Sequence, residues 1–199
     1  MNLKIILSAA LLLTSISLKA QYEDRVITNN HDTIPCKLSR TMMGAFKYKT
    51  AKGEATKIEM GNVREFYSAN KKTWVRRVYI TSFRVPCFVN VIINGKLSLF
   101  EMNGGSAYYN GSLTYSSSGY GADVYHQHSK TQYYVLKTTD TAEVVWDDDL
   151  SRSKSKDLME AKFVPFIQDN KIVYDRYAAD RRVNADELKK LVEMYNGSK

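Results

Sequence analysis

The chain has 199 residues, 44% of them hydrophobic, and a formal net charge of +8. Its length corresponds to one ordinary domain that is long enough to bury a hydrophobic core. After the first 20 residues no apolar run has the length needed to span a bilayer, so the pattern excludes a transmembrane segment from the rest of the chain.

The first 20 residues have the pattern of a secretory signal peptide. Lys4 precedes an apolar run over residues 5–18, which is about as long as a signal-peptide core and shorter than the roughly 20 residues that span a bilayer. Leu18 is one departure, because a small residue is usual three positions before the cut. We expect cleavage near Ala20 and a periplasmic or extracellular mature protein, with an uncleaved anchor as the alternative.

The net positive charge favours an acidic partner. Removing Lys4 and Lys19 with the signal peptide lowers the net charge from +8 to +6. The polyanions outside the cytoplasm are envelope glycans, lipid headgroups and acidic proteins. We therefore expect an envelope protein or a glycan as partner, and no nucleic acid. The basic residues are scattered along the sequence, which is typical of a solvated surface.

Alternation of apolar and polar residues predicts a series of short strands. Residues 25–28 and 33–38 flank a polar turn and predict a hairpin. Pro35 places the second of these strands at an edge or a bulge, because proline has no N–H to donate. Further strands are expected at residues 45–50, 55–59, 63–67, 74–80, 132–137 and 142–146.

The strongest hairpin signal lies in the middle of the chain. Asn94-Gly95 separates two apolar runs, residues 88–93 and 96–101. An Asn-Gly pair in this position predicts a two-residue type I′ turn, which needs positive φ at both central residues.

After residue 146 the pattern becomes helical. The carboxylates of residues 147–149 suit the start of a helix, because they complement its dipole. Apolar spacing over residues 154–167 indicates a helix that Pro165 kinks or breaks. Residues 171–179 are expected to add a further helical turn.

The last helix has the clearest signals at both ends. It begins at Asn184 with Asn-x-x-Glu, a variant of the capping box, carries one apolar stripe and is expected to stop near Gly197. The whole pattern predicts an α+β fold, with a mostly antiparallel β-sheet or open barrel of about eight to ten strands followed by C-terminal helices. We expect one domain over residues 21–199, with a β-rich part to residue 146 and a helical part from residue 147.

Four segments of the sequence occur in a distinctive order. Residues 26–34 look like an IITxxGDTI start, and residues 88–100 are similar to an FLxVLVxGKxSLY hairpin. Residues 132–137 match the strand that follows, and residues 187–196 resemble a closing xxLVxxYN helix. In this order the segments resemble an uncharacterised family of exported proteins common in Bacteroidota, although His31 stands where that family usually has glycine. The resemblance implies a shared fold and an envelope location, and it implies no activity.

Residues 103–122 form a segment rich in Gly, Ser and Tyr, without the periodicity of a core element. Tyrosine gives a large contact area at low entropic cost, and Ser and Gly give adaptable hydrogen bonding, a combination favoured in binding loops. The alternative is an insertion with no partner. The candidate ligand-binding residues are Tyr108, Tyr109, Tyr115, Tyr120 and, just beyond the segment, Tyr125.

Two histidines are the candidate metal ligands. On a strand, His126 and His128 would face the same way, as two zinc ligands do, and His31 with Asp32 could add further ligands. Histidines exposed at a strand edge are the alternative. No other cofactor is expected.

Two cysteines, Cys36 and Cys87, lie on the apolar faces of predicted strands. In an exported protein they could form a disulfide that closes a loop of about 50 residues and contributes about 3–4 kcal/mol. The alternative is two buried free thiols that act as small apolar groups.

These features favour a non-enzymatic cell-envelope binding or assembly module, and they identify no catalytic residue. A metal-dependent or hydrolytic envelope enzyme that uses His126 and His128 is the first alternative. A purely structural accessory of an envelope complex is the second.

Overall fold

The computed structural model describes residues 22–40, 46–53, 55–59, 61–102, 131–137, 141–180 and 184–198. Within these residues ten strands precede the helices, so the α+β fold predicted from the sequence is confirmed. The strands are β1 (Asp24–Thr28), β2 (Thr33–Arg40), β3 (Phe46–Lys49), β4 (Ala55–Lys57), β5 (Val63–Ser68), β6 (Thr73–Ile80), β7 (Val85–Ile93), β8 (Ser98–Met102), β9 (Gln132–Leu136) and β10 (Thr141–Asp147).

The ten strands form one sheet in the order β10-β9-β8-β7-β6-β5-β1-β2-β3-β4, in which every neighbouring pair is antiparallel. An additional, parallel pairing joins β10 to β6, where Thr141 lies opposite Tyr79 and Ala142 opposite Ile80. Because β10 returns to β6, strands β6–β10 close into a five-stranded ring. Strand β6 belongs to both halves of the sheet, since its first residues pair with β5 and its last with β10.

The other end of the sheet also curls. Strands β3 and β5 are separated by β2 and β1, which would hold them about 14 Å apart in a flat sheet. The rings of Phe46 on β3 and Phe66 on β5 are nonetheless 4.9 Å apart, centroid to centroid. We name strands β1–β5 the N-terminal curl. Its core consists of Val26, Cys36, Ile58, Val63, Phe66, Val75 and Phe88.

The curl and the ring bury opposite faces of the sheet. Val75 packs in the core of the N-terminal curl, whereas Val78 and Ile80, further along β6, pack inside the ring. Residues an odd number of positions apart on a strand point to opposite faces. The sheet therefore curves one way at its N-terminal end and the other way where it closes.

The helices cover the outer face of the ring over strands β8, β9 and β10. They are α1 (Arg152–Leu158), a π-helical turn (Met159–Phe163), α2 (Val164–Ile167), α3 (Lys171–Ala179) and α4 (Ala185–Gly197). Leu99 on β8 packs against them while its neighbour Phe100 faces the ring interior, so this strand is buried on both faces. The helical side of this core is Met159, Phe163, Ile167, Val173, Tyr177, Leu188, Leu191, Val192 and Tyr195.

The helix ends follow the sequence signals with two differences. Asn184 caps α4 by accepting hydrogen bonds from the N–H groups of Asp186 (3.0 Å) and Glu187 (2.9 Å), and the helix ends at Gly197. Pro165 lies in the first turn of α2, where its missing N–H is tolerated, and the chain passes through the π-helical turn just before it instead of breaking. The carboxylates of residues 147–149 precede α1, which has no acidic residue in its first turn, so that expectation was wrong.

The connection between β7 and β8 also differs from the prediction. It runs over four residues, 94–97, and neither Asn94 nor Gly95 has a φ in the left-handed region, so this is not a type I′ turn. The glycine is needed for another reason, because a Cβ on Gly95 would lie 2.5 Å from the side chain of Asn196. Asn196 accepts a hydrogen bond from the N–H of Leu97 (2.9 Å) and donates one to its carbonyl (2.8 Å), which joins α4 to this connection.

Pro35 lies at a local edge of the sheet, as the sequence predicts. It pairs with Arg25 of β1, and only the later residues of β2, from Lys37 onward, pair with β3.

Within the described residues no helix is long and apolar enough to cross a membrane. The predicted signal peptide lies outside the described residues and stays a prediction.

Candidate functional site

The excess positive charge lies almost entirely in one half of the sequence. Residues 21–102 contain 14 Lys and Arg against 7 Asp and Glu, whereas residues 103–199 contain 13 against 14. The first range includes the N-terminal curl and strands β6–β8, and the second includes β9, β10 and the helices. Within the first range, residues 24–68 of the N-terminal curl contain 8 Lys and Arg against 5 Asp and Glu, and residues 69–102 contain 6 against 1. The basic residues, expected to be scattered along the chain, are therefore in excess only in its first half, on both the N-terminal curl and strands β6–β8.

Four lysines of the N-terminal curl share one face of the sheet. Lys37 on β2 lies directly opposite Lys49 on β3, and Lys47 on β3 lies directly opposite Lys57 on β4. Directly opposed residues of an antiparallel pair share a face, as do residues two apart on one strand. We name this set, Lys37, Lys47, Lys49 and Lys57, the lysine face.

The other face of the same strands fixes this orientation. Leu38, Phe46 and Tyr48 pack against the core of the N-terminal curl, so the residues that alternate with them must point outward. Lys37, Lys49 and Lys57 are exposed and Lys47 is half-buried. The alternation of Phe46 and Tyr48 with lysine is visible in the sequence, but only the register across three strands brings the four lysines together.

On the lysine face each lysine is paired directly with another lysine, and ion pairs offset little of the resulting repulsion. Lys57 forms an ion pair with Glu59, with 3.7 Å between Nζ and Oε1. Among the described residues, Lys37, Lys47 and Lys49 form no ion pair. Adjacent strands lie about 4.8 Å apart and residues two apart on a strand about 7 Å, so four ammonium groups are anchored within a short distance of one another. Like charges directly opposite destabilise a sheet, and a bound polyanion would relieve that repulsion.

The residues singled out by sequence for ligand or metal binding fall in the segment between β8 and β9. Tyr108, Tyr109, Tyr115, Tyr120, Tyr125, His126 and His128 all lie outside the described residues. The strand ends that flank this segment are adjacent, since Met102 on β8 lies opposite Gln132 on β9. The segment therefore leaves and rejoins the fold at one end of the ring.

A buried chain of polar side chains lies beside these strand ends. Tyr134 donates a hydrogen bond to Gln132 Oε1, and Gln132 Nε2 donates one to Asp147 Oδ2 at 2.7 Å. All three side chains are buried, and burial raises the pKa of Tyr134 well above its ordinary value. Asp147 Oδ1 also accepts a hydrogen bond from the N–H of Asp149 (2.8 Å), which shapes the turn before α1. This chain ties β9 to β10 and holds the tyrosine protonated.

His31 has a cation as its neighbour. Both of its ring nitrogens lie 3.2 Å from Nη1 of Arg64, an arrangement that disfavours a metal ion at the same place. Among the described residues, no group of three or more His, Cys, Asp or Glu side chains is placed to hold a metal. The pair His31–Asp32 is therefore not assembled as a metal site with described residues.

The two cysteines are buried free thiols, the second of the two alternatives that the sequence left open. Cys36 packs in the core of the N-terminal curl and Cys87 faces the ring interior, on the opposite side of the sheet. Burial raises the pKa of each thiol to about 12, and the nearby charge of Asp24 adds to the effect at Cys36. Both thiols are therefore held in the unreactive protonated form.

Comparison with models of known families, with curated proteins and with solved structures finds no match to this chain. The description of the candidate site therefore depends on this chain's own residues.

Proposed function

We propose that this chain is a non-enzymatic binding module of the cell envelope that holds an acidic polymer, such as an anionic glycan, against its lysine face. The observation that carries the proposal is the register of β2, β3 and β4, which sets Lys37 opposite Lys49 and Lys47 opposite Lys57 on an exposed surface. The export pattern of the first 20 residues supports an envelope location, as does the resemblance to exported proteins of Bacteroidota.

The chemistry of lysine favours a repeating polyanion. Each ammonium is a compact, hydrated point charge on a flexible stem, which suits many weak contacts better than one shaped pocket. Anchor points about 5 Å apart between strands and about 7 Å apart along a strand allow successive acidic groups of a polymer to be contacted together. Release of counterions from the polymer adds a favourable, salt-dependent contribution.

Retention on immobilised polygalacturonate tests the proposal. The variant Lys37→Gln/Lys47→Gln/Lys49→Gln/Lys57→Gln removes four charges from the lysine face. The matched control, Lys71→Gln/Lys72→Gln/Lys154→Gln/Lys156→Gln, removes four exposed charges elsewhere. We expect the first variant to elute at much lower salt than the parent and the control to elute close to the parent. Equal losses in both variants would mean that only net charge matters and would contradict the proposal.

The Tyr-rich segment is proposed as a second contact with the same partner. Deleting residues 104–121 removes four of the five candidate tyrosines while keeping the lysine face. We expect this deletion to weaken binding to native envelope glycan and to leave the salt dependence on polygalacturonate unchanged. Unchanged binding to both would remove the tyrosines from the proposal.

A further inference from the structure

A second basic site lies where the turn between β1 and β2 meets β5 and the paired ends of β6 and β7. It is a cavity of about 400 Å³ that is open to solvent, and the described residues that line it are Asn29, Arg64, Arg77, Tyr79 and Pro86. That volume falls in the range of about 300–1,000 Å³ found for small-molecule sites. Two of these lining residues are cationic and none of them is acidic.

This cavity and the lysine face are on opposite sides of the sheet. Lys37 and Pro35 are two residues apart on β2 and lie on the same side of the sheet. Pro35 is paired with Arg25, Arg25 with Tyr67, and Tyr67 with Trp74 on β6, so Trp74 also lies on that side. Arg77 is three positions beyond Trp74 in a regular register with β7, so it points the other way. The two basic sites are therefore separate.

Arg64 is placed by an irregularity in the sheet. Ile27 of β1 pairs with Glu65, but the next residue, Thr28, pairs with Val63, so Arg64 has no β1 residue directly opposite it. His31, at φ 68°, brings both ring nitrogens to 3.2 Å from Arg64 Nη1. A neutral imidazole has one acceptor nitrogen, and Nη1 of Arg64 can donate a hydrogen bond to it from this position. Among the described residues this is the one polar contact of the Arg64 side chain, and the three N–H donors of Nε and Nη2 remain for a ligand.

Apolar surface completes the cavity. Tyr79 and Pro86 are directly opposed on β6 and β7, and the tyrosine is 40% exposed. Arg77 is two residues before Tyr79 and shares its face of the strand. The guanidinium groups that line the cavity therefore lie beside an apolar surface formed by Tyr79 and Pro86. Asn29 is held at the rim by a hydrogen bond of 2.8 Å from its Nδ2 to the carbonyl of Gly61.

We propose that this cavity binds one acidic sugar unit, meaning a sugar ring that carries a carboxylate or a phosphate. The planar N–H fork of arginine matches the oxygens of either group, and these charge-assisted hydrogen bonds are the strong ones. Tyr79 and Pro86 offer a rigid surface to the C–H face of the ring. The lysine face would hold a polymer by charge alone, whereas this cavity would recognise a single unit.

Calorimetric titration with D-galacturonic acid, glucose 1-phosphate and neutral galactose tests this inference. We expect at least one acidic sugar to bind and galactose not to bind. Binding of the uronic acid alone identifies a carboxylate ligand, and binding of the phosphate alone identifies a phosphosugar. Failure of both acidic sugars, or equal binding of galactose, would overturn the inference.

The variant Arg64→Gln locates the site. Arg64 is exposed, so its loss should leave the thermal midpoint unchanged while weakening the acidic sugar about tenfold, the effect of about 1.4 kcal/mol. Lys71→Gln removes the same charge from the exposed turn between β5 and β6, outside both basic sites, and should bind the sugar as the parent does. Tyr79→Ala should weaken the acidic sugar but not inorganic phosphate. Equal binding by parent and Arg64→Gln would overturn the inference, and polygalacturonate retention, which depends on the lysine face, would be unaffected.

Discussion

The N-terminal curl and the ring differ in how many faces of the sheet they bury. The ring is filled on its inside by residues such as Phe100 and Tyr134, and helices cover its outside over β8–β10, so both faces of β8 and β9 are buried. The N-terminal curl buries one face and leaves the other to solvent, and the four lysines of the lysine face lie on that exposed side. Lys37, Lys49 and Lys57 are exposed on that face, which leaves it open to a partner.

The largest effects are expected where the ring meets the helices. Phe163→Ala empties a site that is completely buried between α2, α3 and the ring, and it should lower the free energy of unfolding by about 3–5 kcal/mol. Met194→Ala, at a residue that is 38% exposed on α4, should change it by less than about 0.5 kcal/mol. Urea denaturation measures both. A loss below about 1 kcal/mol for Phe163→Ala would mean that the helices do not depend on this core.

The contact between α4 and the β7–β8 connection should give the next largest effect. Gly95→Ala places a methyl group where Asn196 now lies and breaks its two hydrogen bonds to Leu97, at a cost of about 1–3 kcal/mol. Asn196→Ala alone should cost a similar amount. Because both changes break the same contact, the double variant should be no less stable than the worse single variant, and full additivity would contradict this geometry.

A substitution on the lysine face should raise the free energy of unfolding, whereas the substitutions at the packing sites lower it. Lys49→Gln removes one of two directly opposed lysines and should raise the free energy of unfolding by about 0.2–1 kcal/mol at low salt. The gain should shrink as salt is added, because screening already weakens the repulsion. Lys71→Gln is the control. A loss of stability in Lys49→Gln would show that the opposed lysines do not repel one another.

The buried thiols allow the two regions to be compared in one chain. Each thiol, with its pKa raised to about 12, should resist iodoacetamide at pH 8 until its surroundings open. We expect Cys36 to be labelled at lower urea concentration than Cys87, because one face of the N-terminal curl is exposed to solvent. Mass spectrometry of the labelled peptides resolves the two sites. Simultaneous labelling would indicate that the two regions unfold together.

The smallest effect is an acid-sensitive contact at the helical end. A hydrogen bond of 2.7 Å from Lys137 and another from Tyr195 hold the pKa of the Asp169 carboxyl below its ordinary value. A lowered carboxyl pKa stabilises the folded state above the unfolded-state value, and the contribution disappears as pH falls through the lowered one. Asp169→Asn should therefore reduce the drop in urea midpoint between pH 7 and pH 3, and an identical pH profile would contradict this.

Local features were predictable from sequence and long-range ones were not. Period-2 alternation located the strands, and the capping residue Asn184 and the edge residue Pro35 were identified correctly, because these signals depend on neighbouring residues. The return of β10 to β6, the approach of Asn196 to Gly95 and the pairing of four lysines depend on residues far apart in the chain. The lysine alternation in β3 was visible, but its partners in β2 and β4 required the register.

Lysine footprinting tests the central claim most directly. The mature protein is acetylated with an amine-reactive reagent in the presence and absence of polygalacturonate, and each lysine is quantified by mass spectrometry. We expect protection of Lys37, Lys47, Lys49 and Lys57, with Lys154 and Lys156 modified equally in both samples. Protection spread evenly over all lysines, or confined to the helical part, would contradict the claim that the exposed face of the N-terminal curl is the binding surface.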